Sequence, residues 1–264
     1  MTGKYDLILP FGQACSCSQS LRTAKLQFAS FPWDWIATHS IRTMVEFDCA
    51  GGRDFMRKED MVKMEPRGDH PMDFYQNSRL GIYHNHDFPR GVPLDESFPE
   101  VSAKYERRFR RQTDLIMSAR RPILLLRIDS PIMKPTQLEE CRSARRRLAE
   151  RFRGKDFEFC LFSLDRERPF KDRIEEEIEP GFFHVVFDYS DHTPGAASYN
   201  VNQKANAEIL NRLFSVRDYR TPEEIKAYTE RKRAARYAKA GVTSELGYRL
   251  HKIKQQVRKL FGKS

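Results

Sequence analysis

The chain has 264 residues and a formal net charge of +10, with 39% hydrophobic and 32% charged residues. That length supports one large domain, or one domain with appendages, and is enough for a sizeable core. No run of about 18 apolar residues occurs, so no helix spanning a membrane is expected. The charge is uneven: residues 222–264 hold twelve Lys or Arg against four Glu. The body is thus nearly neutral, and a basic tail of this kind seeks an anionic partner.

The first element is the apolar run Leu7 to Leu9, broken at Pro10 and Gly12 and followed by small polar residues and a helical stretch to about Leu26. This reads as strand, tight turn and helix N-terminus, with Cys15 and Cys17 at the turn. A thiol there feels the positive end of the helix dipole, which lowers its pKa, so either cysteine is a candidate nucleophile. Two residues apart on one helical turn, they point about 200° apart, and one cleft can receive only one of them. The competing reading is that both are small core residues. The five cysteines are an odd number without a Cys-x-x-Cys pair. Free thiols are expected rather than a disulfide framework or zinc knuckle, and the expected compartment is the cytoplasm. No apolar leader is read before the first strand.

Phe28 to Ile36 contains two Phe and two Trp around Asp34. Core packing is the simplest role for the Trp rings, whereas a buried Asp34 needs a partner. Residues 38–48 fit a helix. Residues 74–90 fit a strand around Leu80 and Ile82 ending near Pro89. On a regular strand His84 and His86 share a face. His86-Asp87 is a candidate base with an adjacent carboxylate, and His-x-His is a metal pattern without a clear third ligand, so no metal is expected. Residues 99–119 form a basic helix in which Arg107 or Arg108 can meet an anion.

From Pro122 the pattern becomes regular. Strands are expected at 122–129, 157–164 and 182–188, with helices at 135–153 and 199–216 and a polar acidic stretch at 168–179. Apolar strands of this kind are buried on both faces of a parallel sheet. The expected fold is a layered α/β/α arrangement with a mainly parallel sheet and C-terminal helices, divided into 1–218 and a basic helical tail 219–264. In such sheets sites gather beyond the carboxyl ends of strands. His192, near Asp188 and Asp191, is therefore a rival base to His86. There is no Gly-rich phosphate loop and no dinucleotide fingerprint, so no cofactor is expected.

Four short segments in order, Gly12-Gln-Ala-Cys15, Ser30-Phe-Pro-Trp-Asp-Trp35, His86-Asp-Phe88 and Tyr105-Glu-Arg-Arg108, resemble a bacterial family of papain-like cysteine peptidases whose function is unassigned. The resemblance spans roughly residues 5–215. It implies Cys15 as nucleophile and His86 as base, with Asp34 or Asp87 orienting the imidazole. Gly12, Gln13, Trp33, Arg107 and Arg108 form the expected substrate-binding set. It also implies an alternative papain-like α+β fold. The expected function is a cysteine-dependent hydrolase or acyltransferase. The alternative is a membrane-surface transferase of cell-surface polysaccharide synthesis with a structural Cys15. Leu246, Leu250, Ile253, Val257 and Leu260 recur at spacings of four and three between basic residues. That stripe suits an anionic membrane surface, which would place the protein on the membrane's inner face through 244–264. No nucleic-acid motif is present, so nucleic acid is not an expected partner.

Overall fold

The computed structural model describes residues 3–38, 40–65, 68–129, 135–194 and 200–261; for 129, 135–137 and 256–261 it describes the backbone alone. The chain divides into two compact units, Met1–Asp218 and Tyr219–Ser264. The first unit begins with β1 (Gly3–Tyr5), β2 (Leu7–Pro10), α1 (Cys15–Thr23), β3 (Ile36–Ala37) and α2 (Ile41–Ala50). Next come β4 (Met61–Lys63), β5 (Met72–Asn77), β6 (Ile82–Pro89) and α3 (Leu94–Ser118). It continues through β7 (Ile123–Asp129), α4 (Pro135–Arg151), β8 (Phe157–Leu164), β9 (Ile174–Glu179), β10 (Phe182–Phe187), α5 (Gln203–Leu213) and β11 (Phe214–Val216).

A five-stranded sheet runs in the order β2-β7-β8-β10-β9. The first four strands pair in parallel and β9 joins β10 antiparallel. The strand β7 lies between β2 and β8, and Ile123, Leu124, Leu125 and Leu126 are all fully buried, as its unbroken apolar run requires. Fully burying each such side chain contributes about 2 kcal/mol. On one face Leu124, Leu126 and Phe162 pack with Cys17 and Leu21 of α1 and with Ile209 and Leu210 of α5. Arg127 is also buried, and its guanidinium donates to the Phe11 carbonyl at 2.9 Å, which fixes the turn leaving β2.

A second, four-stranded antiparallel sheet has the order β3-β6-β5-β4, and β1 pairs in parallel with β11. The expectation of one mainly parallel sheet describes the five-stranded sheet and omits the antiparallel one, which carries His84 and His86. The acidic run Ile174–Glu179 is also a strand, where the sequence suggested a polar connection. It is an edge strand with largely exposed side chains, so it has no apolar alternation to reveal it. The helix expected over 199–216 is α5 followed by β11, and Tyr199 lies outside the described residues.

The second unit contains α6 (Pro222–Ala240) and α7 (Glu245–Phe261). A capping box between Thr221 and Glu224 starts α6, with Pro222 in its first turn. Gly241 ends it at φ 65°, the left-handed conformation that glycine adopts without steric cost. No described helix is long and apolar enough to cross a membrane.

Candidate functional site

The site begins where β2 turns into α1. Phe11 N–H donates to the Leu126 carbonyl at 2.6 Å, and Thr38 N–H donates to the Gln13 carbonyl at 3.0 Å, so the turn is held from both sides. Gly12 is required by crowding rather than by a left-handed backbone. A Cβ at Gly12 would lie 2.3 Å from the Cys17 Cβ. Cys17 is buried, its thiol donates to the Leu126 carbonyl at 3.1 Å, and burial pushes its pKa up to about 12. It is a structural thiol. Gly12 therefore leaves room for Cys17 beneath the turn and does not line the neighbouring cleft.

Cys15 occupies the first position of α1 and lines a cleft of about 480 Å³. Gln13, Ser16, Gln19, Trp35, Phe74, Tyr83, Asn85, His70, His86 and Asn200 share that cleft. The N-cap Ala14 offers no side-chain acceptor, and the N–H groups of Cys15 and Ser16 point at the thiol instead. Those donors favour the thiolate, but burial is the larger influence and raises the Cys15 pKa. The depressed thiol expected from the helix dipole is thus not its resting state. Activation at neutral pH requires a base to remove the proton.

His86 reaches the cleft because of an irregularity in β6. Tyr75 pairs with His84 and Asp73 with Phe88, so Phe74 alone opposes Asn85, His86 and Asp87. This bulge breaks the alternation that would place His84 and His86 on one face. His86 turns into the cleft, edge-on to Trp35 at 5.9 Å and tilted against His70 at 5.9 Å. One side of the ring remains open to water. Desolvation of the other side lowers the His86 pKa, His70 adds to this, and Asp87 opposes it. His86 is therefore neutral, and able to accept a proton, somewhat below the ordinary histidine range. His70 accepts the Met72 N–H at Nδ1, so its neutral form carries the proton on Nε2.

His84 faces the other way and is fully buried. Its Nδ1–H donates to Asp87 at 2.9 Å, and Asp87 also accepts from Lys104 Nζ and Tyr105 OH at 2.6 Å each. Burial opposes the Asp87 charge, but His84 and Lys104 hold its pKa well below the usual carboxylate range. Asp87 is consequently not the hydrogen-bonding partner of His86; it anchors the bulge from behind. Splitting the two histidines between faces also rules out a shared metal through His-x-His. Among the described residues no group of three metal-binding side chains assembles.

Asp34 has a similar supporting position. It is fully buried and accepts from Ser18 Oγ (3.0 Å), Arg22 Nη2 (2.9 Å), Gln27 Nε2 (2.9 Å) and Phe31 N–H (3.1 Å). This network ties the loop before Trp35 to α1 and does not include His86. Trp33 is core: it donates to Asp48 at 2.9 Å and packs edge-on to Phe55 and Phe109. Trp35 takes the cleft position expected of Trp33. Arg108 is buried over the Tyr105 ring and Arg107 is exposed on α3; neither lines the cleft. His192 is largely exposed, pairs with Asp188 at 3.0 Å and also stands outside the cleft. Of the expected site residues the cleft therefore brings together Cys15, His86 and Gln13. No local pattern marks His70, Phe74, Tyr83, Asn85 and Asn200: Phe74, Tyr83 and Asn85 lie on β5 and β6, His70 just precedes β5, and Asn200 follows β10.

No curated protein and no solved structure matches this chain. A family profile, described as putative papain-like cysteine peptidase, matches residues 6–167. The match takes in the α1 turn, the bulged strand and the α3 helix, and the chain belongs to that papain-like cysteine peptidase family.

Proposed function

We propose that the protein is a thiol-dependent hydrolase of neutral acyl substrates, with Cys15 as nucleophile and His86 as general base. The observation that carries this reading is that a cysteine at a helix start and a histidine of lowered pKa line one cleft, while Cys17, Cys141 and Cys160 are buried. Family membership favours thiol chemistry over the polysaccharide-transferase alternative.

In the first step His86 takes the Cys15 proton as sulfur attacks the substrate carbonyl carbon. The N–H groups of Cys15 and Ser16, which point at the thiol, and the Gln13 amide in the same cleft are the donors offered to the developing oxyanion. His86 then returns the proton to the leaving group as the acyl–heteroatom bond breaks, which leaves a thioester on Cys15. Water, deprotonated by His86, attacks the thioester and releases the acid and the free thiol. Trp35, Phe74 and Tyr83 give the cleft apolar walls, and Gln13, Asn85 and Asn200 add amide groups. Apart from the histidines, no cation or carboxylate lines it among the described residues, which suits an uncharged acyl group bearing an amide.

Hydrolysis of a panel of p-nitrophenyl esters and aminocoumarin amides with neutral or charged acyl groups tests the reading. Preference for neutral acyl groups, lost in Cys15→Ala, supports it. Activity retained by Cys15→Ala, or a preference for charged acyl groups, contradicts it.

A further inference from the structure

The second unit presents a surface that the thiol chemistry does not explain. In α7, Leu246, Leu250 and Ile253 are 69%, 52% and 54% exposed. At 100° per residue they fall within about 60° of arc, a single stripe. Val257, Leu260 and Phe261 continue it in sequence, and Arg258, Lys259 and Lys263 continue the basic flanks, but their side chains lie outside those described. The flanking positions nearest the stripe are Arg249 on one side and Lys254 on the other.

The hinge with α6 turns this stripe outward within the unit. Tyr237 OH donates to Glu245 at 2.7 Å, the Tyr237 and Tyr248 rings meet at 6.1 Å, and Arg236 lies over Tyr248 at 5.5 Å. Tyr248 sits about 160° around α7 from Leu246, so α6 is held on the helix face opposite the apolar residues. The helix α6 itself is exposed over nearly its whole length and carries Arg231, Lys232, Arg233, Arg236 and Lys239.

We propose that this unit binds the surface of a membrane containing anionic lipids, with α7 lying in the headgroup plane. The stripe enters the acyl boundary, while Arg249 and Lys254 extend their stems along it and place their charges at the lipid phosphates; Lys252, over the Tyr248 ring at 5.9 Å, adds positive charge from the other side of the helix. Charge complementarity and the stripe select this occupant together. A nucleic-acid backbone would use the cations and leave the apolar residues in water. A second copy packed stripe to stripe would bring two strongly basic units together. The proposal is independent of the thiol site.

The test is sedimentation of the full chain with phosphatidylcholine vesicles, with and without phosphatidylglycerol. Binding is expected only with phosphatidylglycerol and should be lost in about 1 M salt, where the screening length is about 3 Å. Replacing Leu246, Leu250 and Ile253 together by Asn should lower partitioning by about tenfold or more, as should replacing Arg249, Lys252 and Lys254 together by Gln. Circular dichroism checks that both variants keep wild-type helix content. Equal binding to neutral vesicles overturns the proposal, as does wild-type binding by the Asn variant. Failure to bind vesicles, combined with tight binding to duplex DNA or with a dimer that the Asn variant abolishes, overturns it too.

Discussion

Three pairs of like residues, each two positions apart, divide between the cleft and the core. Cys15, Trp35 and His86 line the cleft, whereas Cys17, Trp33 and His84 are buried behind it. Each core member has a fixed partner: Cys17 the Leu126 carbonyl, Trp33 Asp48, and His84 Asp87 through Nδ1. The aromatic cleft members are held by ring contacts instead, His86 against Trp35 and His70, and Trp35 under the Arg22 guanidinium. Residue type alone thus says little about chemistry here; backbone geometry decides which member of each pair can act.

Breaking the cysteine pair should produce the largest effect. Cys15→Ala is expected to lower kcat by about 10⁴-fold or more while moving the melting temperature by no more than a few degrees. Cys17→Ala should keep the activity and cost about 1–2 kcal/mol of stability, through lost packing against Gly12 and β7. Steady-state kinetics and thermal melts on both variants check this, and equal activity losses would erase the distinction.

The histidine pair comes next. His86→Ala should lower kcat by about 10²–10⁴-fold with little change in stability. On the opposite face, Asp87→Asn removes the charge from a buried cluster and leaves the Lys104 ammonium unpaired, a change that costs about 3–5 kcal/mol. Urea unfolding measures that loss. Because His84 and Lys104 depress the Asp87 pKa, its contribution is present above the unfolded carboxylate pKa of about 4 and disappears as the pH falls below it. The pH profile of kcat/KM should show its acid limb below about 6.5, the ordinary histidine value, because burial lowers the His86 pKa.

The tryptophan pair gives the smallest and most selective effect. Burial raises the Asp48 pKa to about 7, so the folded protein holds a proton that the unfolded chain releases. Stability is then lost as the pH rises between about 4 and 7. Asp48→Asn can still accept from Trp33 and avoids the buried charge. It should stabilise the protein by about 1–3 kcal/mol at pH 8 and by much less at pH 5. Thermal melts at the two pH values test this; the same shift at both would mean that Asp48 is not protonated in the fold.

One of the three divisions was partly legible in the sequence, for identifiable reasons. The strand–turn–helix around Cys15 announces itself through an apolar run, Pro10 and Gly12; helix geometry puts Cys15 and Cys17 on different faces, and the family resemblance points to Cys15. The continuous run Ile123–Leu126 marks a strand buried on both faces. The bulge in β6 has no comparable mark, since Asn85-His86-Asp87 contains neither glycine nor proline. Regular alternation therefore assigns His84 and His86 to one face, and the adjacency of Asp87 suggests a partner for the wrong histidine. Trp33 and Trp35 are likewise indistinguishable until Asp48, fifteen residues away, supplies the acceptor for one of them. Cleft residues such as His70 and Asn200 depend on long-range pairing, which no local pattern encodes.

The chemistry proposed for the cleft is attack by Cys15 with the help of His86. Its most direct test is to mix the protein with p-nitrophenyl acetate, quench within one turnover and locate the acyl group by peptide mass mapping. An acetyl thioester is expected on Cys15, forming at least about a hundredfold more slowly in His86→Ala and at the wild-type rate in Cys17→Ala. Acylation of another residue, or a rate on Cys15 unchanged by His86→Ala, would contradict it.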